Sequence, residues 1–461
     1  MIPGFPLAPS MFSTYTIEEA REMQSLSSAP RSPHTVLMVF QVSAPILSLS
    51  VAALTALTLL IRPFKWPEAV WAVLAAALLT GAGAIPLLDA WAGIAKGLDV
   101  YLFLIGMMLI AELARQEGLF DWLALIATNH AKGSPFKLFT LTYLVGILVT
   151  VFMSNDATAV VLTPAVYAAC RAARVKDPLP YLLICAFTAN AASFVLPISN
   201  PANLVIFNGG HMPALVDWLS TFALPSALAI AITFAALLWN QRAALAAETL
   251  AARVPGTSLS LTGKVAGLGL TVTAIGLITA SALHVDLGWP TFAGGIVTLS
   301  IVSIIKRQFP SQALEDISWS VIPLVAGLFV VVEALGTSGV LEMLAESVSR
   351  LTAMHPQLGA PAAGILTAIV ANLVNNLPAG LVAGSIVQSI HASPALSGSI
   401  LIGIDLGPNL SITGSLATIL WLNALRREGI KVGFWQFLKI GTVVMFPALL
   451  AAIASLAILN S

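Results

Sequence analysis

The chain has 461 residues, of which 58% are hydrophobic and only 9% are charged, whereas a typical soluble domain carries about 25% charged residues. Its 21 basic and 21 acidic residues give a net charge of zero, so no charge excess points to nucleic acid as a partner. Because each bilayer crossing takes about 20 apolar residues, this composition excludes a soluble enzyme. It predicts an all-α membrane protein with about ten crossings.

The first 44 residues differ from the rest of the chain. They contain prolines, serines and a long polar run, and they lack the basic start, apolar centre and cleavage site of a signal peptide. Thr16 and Glu19 have the spacing of a capping box, which marks a helix start. We expect residues 1–44 to be a leader that is mostly disordered or forms one short amphipathic helix.

From residue 45 onwards apolar runs follow one another, and four of them are unusual. The pairs 138–153 with 157–170 and 358–374 with 377–391 consist of runs of about 15 residues, which is short for a crossing and predicts two re-entrant hairpins. The longer runs 179–208 and 396–424 contain polar residues in mid-run. That pattern is typical of discontinuous helices in transporters.

An internal repeat runs through the chain. The segment from Gly106 to Glu112 resembles the segment from Gly327 to Glu333 at an offset of 221 residues. Near the same offset, polar pairs at the two hairpin kinks match: Asn155 with Asn375 and Asp156 with Asn376. Further matches at an offset of 215 residues are Asn190 with Asp405, Asn200 with Ser415 and Asn203 with Thr418. We therefore expect two copies, 45–240 and 264–461, joined by a cytoplasmic linker over 241–263.

The basic residues predict the orientation of these copies. If each copy has five transmembrane helices and one hairpin, the N-terminus lies outside the cell and nearly all basic clusters fall on the cytoplasmic side. Lys96 and Arg350 are the exceptions. An odd number of crossings makes the two copies inverted, as in many secondary transporters. The expected location is the inner (plasma) membrane.

Four polar breaks interrupt the apolar runs, and we expect them to meet near the midplane. Irregular backbone survives in a membrane only where it is buried in protein or lines a cavity, and half-helix ends with amide and hydroxyl side chains suit a small oxygen-rich solute or a bare cation. The expected substrate-binding residues are Asn155, Thr158, Ser199, Asn200, Asn203, Asn375, Asn376, Asn409, Ser415 and Thr418. The alternative for Asn155, Asn375 and Asn376 is that they only cap half-helices.

Two acids are placed clearly in the membrane interior. Asp156 and Asp405, with Asn190 at the position related to Asp405, are candidates for proton coupling, because ionisable groups within a membrane are costly and usually functional. The alternative is that both acids are simply satisfied by neighbouring donors. Glu112 and Glu333 lie near helix ends, where a proton relay and a structural brace are equally good interpretations.

Several chemistries have no motif in this chain. Cys170 and Cys185 are too few for a thiolate metal site, the histidines have no ligand spacing, and a phosphate-binding loop is absent. We expect no cofactor, no metal and no catalysis. Without ATP hydrolysis by the chain itself, the energy for transport has to come from an ion gradient, a membrane potential or a separate partner.

The run from Gly403 to Trp421 resembles the signature of the ArsB arsenite efflux family, within the ion transporter superfamily. The segments 155–157 and 375–378 resemble the two hairpin kinks of that family. The resemblance implies proton-driven export of arsenite and antimonite, sometimes assisted by a soluble ATPase, for which the linker is the expected dock. Where the family carries Lys and Pro, this chain has Asn409 and Ile412, so a buried cation is missing.

Other functions fit the same scaffold. A sodium/proton antiporter is the first alternative, because paired acids among asparagines also bind sodium. A carboxylate transporter ranks third, since no arginine or lysine falls inside the breaks to pair with the substrate. A passive channel is the fourth possibility. Arsenous acid fits the residues best, because a small neutral trihydroxide is held by amide and hydroxyl hydrogen bonds without thiolates.

Overall fold

The computed structural model describes residues 44–207, 212–255, 258–308 and 310–460. The predicted leader therefore lies outside the described residues, except for Ala44, which begins the first helix. Within the described ranges the chain consists of helices and loops, without any strand. The prediction of an all-α protein is confirmed.

The first half of the described chain contains ten helices. Their bounds are α1 (Ala44–Ile61), α2 (Glu68–Gly81), α3 (Leu87–Lys96), α4 (Leu98–Gln116), α5 (Leu119–Ala131), α6 (Pro135–Phe152), α7 (155–172, comprising Asn155–Ala157, a π-helical turn Thr158–Leu162, and Thr163–Ala172), α8 (Leu179–Ala191), α9 (Pro201–Ile206) and α10 (Leu215–Ala246). A short 3-10 turn, Pro197–Ser199, lies between α8 and α9.

The second half of the described chain contains ten more helices in the same order. Their bounds are α11 (Leu261–Ala282), α12 (Gly288–Lys306), α13 (Ser311–Asp316), α14 (Val321–Thr337), α15 (Val340–Met354), α16 (Gly359–Val374), α17 (Asn376–Ser389), α18 (Pro394–Leu406), α19 (Leu416–Arg427) and α20 (Phe434–Leu459). The 3-10 turn Gly407–Leu410 follows α18, as Pro197–Ser199 follows α8.

Several of these helices are long and apolar enough to cross a membrane. The described residues contain seven such stretches, or eight if α3 and α4, bent by 45° at their junction, count as one broken span. Three shorter apolar helices, α2, α8 and α16, add to them. The protein is therefore a multi-pass membrane protein, and the exact number of crossings in each copy stays a prediction.

The helices break where the polar residues predicted. The first hairpin candidate changes from α6 to α7 at Met153 and Ser154, and the second changes from α16 to α17 at Asn375. The run 179–208 is divided into α8, a 3-10 turn and α9, and the run 396–424 is divided in the same way. Both long runs are thus discontinuous helices.

Two repeat-related glycines, Gly106 and Gly327, lie at close helix contacts between the two halves. A Cβ atom at Gly106 of α4 would come within 2.4 Å of the Thr291 backbone of α12, and one at Gly327 of α14 would come within 2.7 Å of the Ala72 backbone of α2. Only glycine permits such close helix contacts. The fourth helix of each half, α4 or α14, therefore packs against the second helix of the other half, α12 or α2. The opposite orientation of the two halves in the membrane stays a prediction.

The segment between α10 and α11 is fastened to the first half by polar contacts. Ala251 N donates to Ala173 O at 2.9 Å, and Val254 N donates to Asn129 Oδ1 at 2.8 Å. The Glu248 carboxylate accepts hydrogen bonds from the backbone N–H groups of residues 176, 177 and 249. Slight burial alone would raise the pKa of Glu248, but these donors outweigh it and keep the pKa below its ordinary value.

Candidate transport site

The first hairpin kink is capped by Ser154, whose Oγ accepts a hydrogen bond from Ala157 N at 3.2 Å. The Asn155 side chain turns back on its own backbone, where Oδ1 accepts from Asp156 N at 2.9 Å. Thr158 Oγ1 lies 2.7 Å from Thr150 Oγ1 of α6, the first arm of the hairpin. These three contacts stabilise the kink, and among the described residues the carboxylate of Asp156 has no hydrogen-bond partner.

The second hairpin kink uses asparagines instead. Asn375 is the N-cap of α17, with its Oδ1 accepting from Leu377 N at 3.3 Å, and its φ of 76° lies in a region that side chains rarely adopt. Asn376 N donates to Gly414 O at 3.0 Å, which joins the hairpin to the second discontinuous helix. Asn375 therefore caps α17, and its predicted part in substrate binding stays a prediction.

Asp405 is fully buried at the end of α18 and has two partners from the other half. Ser193 Oγ donates to Asp405 Oδ2 at 2.7 Å, and Asn200 Nδ2 donates to Asp405 Oδ1 at 2.7 Å. Ser193 Oγ also lies 2.8 Å from Asn190 O. The predicted acid is thus held by neutral donors, without a basic partner among the contacts described for it.

Asn190, the residue related to Asp405 by the repeat, sits in a second buried cluster. Its Nδ2 donates to Asn409 Oδ1 at 3.0 Å and to Thr418 Oγ1 at 3.5 Å. Thr418 Oγ1 also lies 2.9 Å from Ser415 Oγ, the N-cap of α19. Asn409 Nδ2 donates in turn to Phe187 O at 3.1 Å. The clusters around Asp405 and Asn190 together cross the boundary between the halves, and we call them the buried polar network.

Ser199 and Asn203 are bound mainly to backbone. Ser199 Oγ donates to Val151 O at 3.0 Å, which connects the 3-10 turn to the first hairpin arm. Asn203 Nδ2 donates to Ser193 O at 2.9 Å, with the carbonyls of residues 196 and 197 at 3.4 Å. Asn200 is the N-cap of α9, where its Oδ1 accepts from Ala202 N at 3.0 Å. These side chains therefore shape the break.

Two amide oxygens of this region are buried and have no hydrogen-bond partner among the described residues, namely Asn190 Oδ1 and Asn203 Oδ1. The amide nitrogens of both residues do donate. A buried unpaired oxygen costs about 1–3 kcal/mol. Both oxygens are free to accept a hydrogen bond from a bound solute or to contact a cation.

A cavity opens beside the first hairpin. Its wall includes three acids, namely Glu112, Asp156 and Asp316, together with Ser154. The wall also includes Pro201 and Leu416, the first residues of α9 and α19, so the cavity ends next to the two broken helices. We call it the acidic cavity. None of the residues that form its described wall is Lys, Arg or His.

The two repeat-related glutamates have different surroundings. Glu112 lines the acidic cavity and forms an ion pair with Arg115. Glu333 is bound by Lys96, whose Nζ lies 2.6 Å from Glu333 Oε2. The repeat predicted one role for both residues, but only Glu112 shares a cavity with Asp156.

Sequence reasoning missed four polar residues of this region. Ser193, in the turn that follows α8, and Asn372, within α16, were lost in apolar sequence, although Ser193 comes only three residues after Asn190, which is a usable signal. Asn372 Nδ2 donates to Gly407 O at 2.6 Å, and its Oδ1 accepts from Ser411 Oγ at 2.9 Å. Arg115 and Asp316 gave no signal, because their contact joins distant parts of the chain.

Comparison with known proteins now identifies the family. A family model described as "Citrate transporter" (CitMHS) matches residues 35–406 of the chain. The chain belongs to the citrate transporter (CitMHS) family.

Relatives of this CitMHS protein include arsenical pumps. It is 25% identical over 364 residues to the "Arsenical pump membrane protein" of Yersinia enterocolitica, covering 77% of this chain and 85% of that protein. It is 26% identical to an "Uncharacterized transporter" of Mycobacterium tuberculosis, covering 81% and 89%. The predicted resemblance to the arsenite efflux family is confirmed.

A solved structure shares the fold. The CitMHS protein is similar to the YdaH transporter of Alcanivorax borkumensis, with a TM-score of 0.54 and 14% sequence identity, covering 89% of this chain and 98% of that one. The likeness shows the fold alone. Family, relatives and apolar helices together identify a multi-pass membrane transporter of the CitMHS and arsenical pump type.

Proposed function

We propose that this transporter exports arsenite or antimonite from the cytoplasm in exchange for protons, and that the acidic cavity is its pathway. The observation that carries the proposal is a cavity wall containing Asp156 and Ser154 but no basic side chain among its described residues. A neutral trihydroxide needs no fixed positive charge. It can donate its O–H groups to carboxylate and amide oxygens.

The buried polar network would receive the solute at the inner end of the cavity. Asn190 Oδ1 and Asn203 Oδ1 are acceptors without a hydrogen-bond partner among the described residues, and a solute O–H group that reached them would remove the cost of leaving them unsatisfied. The hydroxyl and amide groups of Thr158, Asn155, Asn376 and Asn409 complete the proposed binding set.

Proton coupling is assigned to the two interior acids. Asp156 is half-buried on the cavity wall, where it would exchange protons with solution whenever the cavity is open. Asp405 is fully buried among Ser193 and Asn200. Protonation of these acids in the outward-facing state would weaken solute binding, and their deprotonation in the inward-facing state would restore it. Protons can drive the carrier from one state to the other only through such a difference in binding energy.

The remaining topology of the proposal follows the sequence. Two inverted copies, 45–240 and 264–461, would alternate between inward and outward access across the inner membrane, with the N-terminus outside. The linker 241–263 would then face the cytoplasm, and its contacts with Ala173 and Asn129 would make it a fixed surface on which a soluble ATPase subunit could dock.

Inside-out vesicles with an imposed proton gradient test the proposal directly. Uptake of arsenite, antimonite, sodium and citrate is followed in parallel, with and without a protonophore. We expect arsenite accumulation that collapses with the protonophore. Replacement of Asp156 by Asn should abolish accumulation, whereas the control Asp121→Asn, an exposed acid outside the cavity, should keep it. Full gradient-driven accumulation by Asp156→Asn would contradict the assignment of that residue.

A sodium/proton antiporter is the second candidate, and one observation favours it. The carboxylate of Asp405 and the two unpaired amide oxygens offer only oxygen ligands, which hard cations prefer. Sodium movement without arsenite in the same vesicles would support this candidate. Citrate uptake would oppose both, because the described cavity wall carries acids and no base.

A further inference from the structure

Arg115 connects the two halves of the transporter at the acidic cavity. Its Nε donates to Glu112 Oε2 at 2.8 Å within α4, and its Nη2 donates to Asp316 Oδ2 at 2.8 Å. Asp316 is the last residue of α13, which belongs to the second half. The guanidinium therefore holds two carboxylates together that would otherwise repel each other.

The exposure of these side chains locates the contact. The side chain of Asp316 is 43% exposed and that of Arg115 is 38% exposed, whereas that of Glu112 is only 10% exposed. Glu112 and Asp316 both line the cavity that contains Asp156. The ion pairs thus lie where the cavity meets the surface, and Glu112 lies on the inner side of them.

The repeat contains a related contact with the charges arranged differently. Lys96, at the end of α3, corresponds to Asp316 at an offset of 220 residues, and Glu333 corresponds to Glu112 at an offset of 221. Lys96 bonds directly to Glu333 of the other half. Where α13 ends in an acid instead of a lysine, Arg115 supplies the positive charge from α4.

We propose that the Arg115–Asp316 ion pair is a gate of the acidic cavity, and that separation of α13 from α4 opens the path to Asp156. Arg115 and Asp316 act as positioning residues: they hold the mouth together and bind no solute. This proposal builds on the cavity assigned under the proposed function. It does not depend on which solute is carried.

Cysteine accessibility measures the gate without transport. Val160 lines the cavity and is half-buried, so Val160→Cys is a reporter of nearly unchanged size. The chain's own Cys170 and Cys185 are buried, and protein without the reporter gives their background. The labelling rate with a membrane-impermeant maleimide is measured in vesicles of both orientations.

Two variants that break the Arg115–Asp316 ion pair should label faster than the parent. Arg115→Gln leaves Glu112 facing Asp316, and Asp316→Asn removes the negative charge of α13 from the contact. Each should raise the labelling rate about two- to fivefold, as expected for the loss of a partly exposed ion pair. The control Arg350→Gln breaks an exposed pair with Glu346 and should leave the rate unchanged.

A double variant distinguishes a gate from general loosening. Arg115→Gln with Asp316→Lys moves the positive charge onto α13, which reproduces the arrangement of Lys96 and Glu333, and it should return the labelling rate to that of the parent. Gel filtration in detergent shows that each variant is folded. Unchanged labelling in both single variants, or a double variant as fast as Arg115→Gln, would overturn the gate. Labelling needs neither arsenite nor a gradient. The test of the gate therefore stays valid even if the transport assay contradicts the proposed function.

Discussion

Replacing Asp405 by Asn separates the structural role of this residue from its proposed role in coupling. An asparagine can keep every contact of the cluster: its Oδ1 accepts from Asn200, its Nδ2 donates to Ser193 Oγ, and Ser193 Oγ donates to Asn190 O, which is 2.8 Å away. A protonated Asp405 would use the same pattern. We therefore expect Asp405→Asn to change the free energy of unfolding by less than about 1 kcal/mol.

Asp405→Ala is the matched comparison. The Ser193 hydroxyl can still donate to Asn190 O, but Asn200 Nδ2 loses its carboxylate acceptor in a fully buried site. One orphaned donor and the cavity left by the carboxyl group should cost about 2–3 kcal/mol. The Ala variant should thus melt at a clearly lower temperature than the Asn variant.

The two readouts are a thermal unfolding curve in detergent and solute uptake into inside-out vesicles. Asp405→Asn should unfold like the parent and yet fail to accumulate solute against a gradient, because its side chain cannot exchange a proton. If Asp405→Asn melted as early as Asp405→Ala, the hydrogen-bond pattern described for the cluster would be wrong. If it melted normally and still accumulated solute in response to the proton gradient, Asp405 would have no part in coupling.

Two further predictions concern packing and pH. A Cβ atom at Gly384 would lie 2.8 Å from the Ile206 backbone, whereas a Cβ atom at Gly380 would have its nearest neighbours 3.8 Å away. Gly384→Val should therefore lower the free energy of unfolding by at least about 1–3 kcal/mol. Gly380→Ala, the control, should leave it nearly unchanged. The pKa of Glu248 in the folded protein lies below its ordinary value. The carboxylate therefore stabilises the linker fully at pH values above its unfolded-state pKa of about 4.3. This stabilisation is lost as the pH falls through the lower pKa of the folded state. Limited proteolysis with an acid protease should show the linker becoming cleavable over that range, and an identical pH profile in Glu248→Gln would refute the role of the carboxylate.

The sequence predicted the broken helices well because their cause is local. A polar residue such as Asn375 in mid-run, followed by Pro378, is incompatible with a simple apolar crossing, and α16 ends next to it. The glycines of the repeat were equally informative, since Gly106 and Gly327 meet backbone in related contacts. Features that depend on a residue and its neighbours along the chain are readable without a structure.

Partners across the two halves were not predictable in the same way. Asp405 was identified as an interior acid, but its donors Ser193 and Asn200 come from about 200 residues earlier, and no local pattern connects them. Glu112 and Glu333 look alike in sequence and differ because Arg115 binds one and Lys96 binds the other. A repeat fixes equivalent positions, and it does not fix equivalent partners.

The difference between the hairpins follows from the same distinction. In the second hairpin, Gly384 lets α17 lie directly against the backbone of α9. The residue 220 positions earlier is Pro164, and the corresponding helices α7 and α19 also pack against each other, with the acidic cavity beside Val160 and Leu420. A carrier needs one access route open while the other is closed, and two copies with identical packing would open or close together. Gly384, which permits the close backbone contact of α17 with α9, thus has no glycine counterpart in the first hairpin.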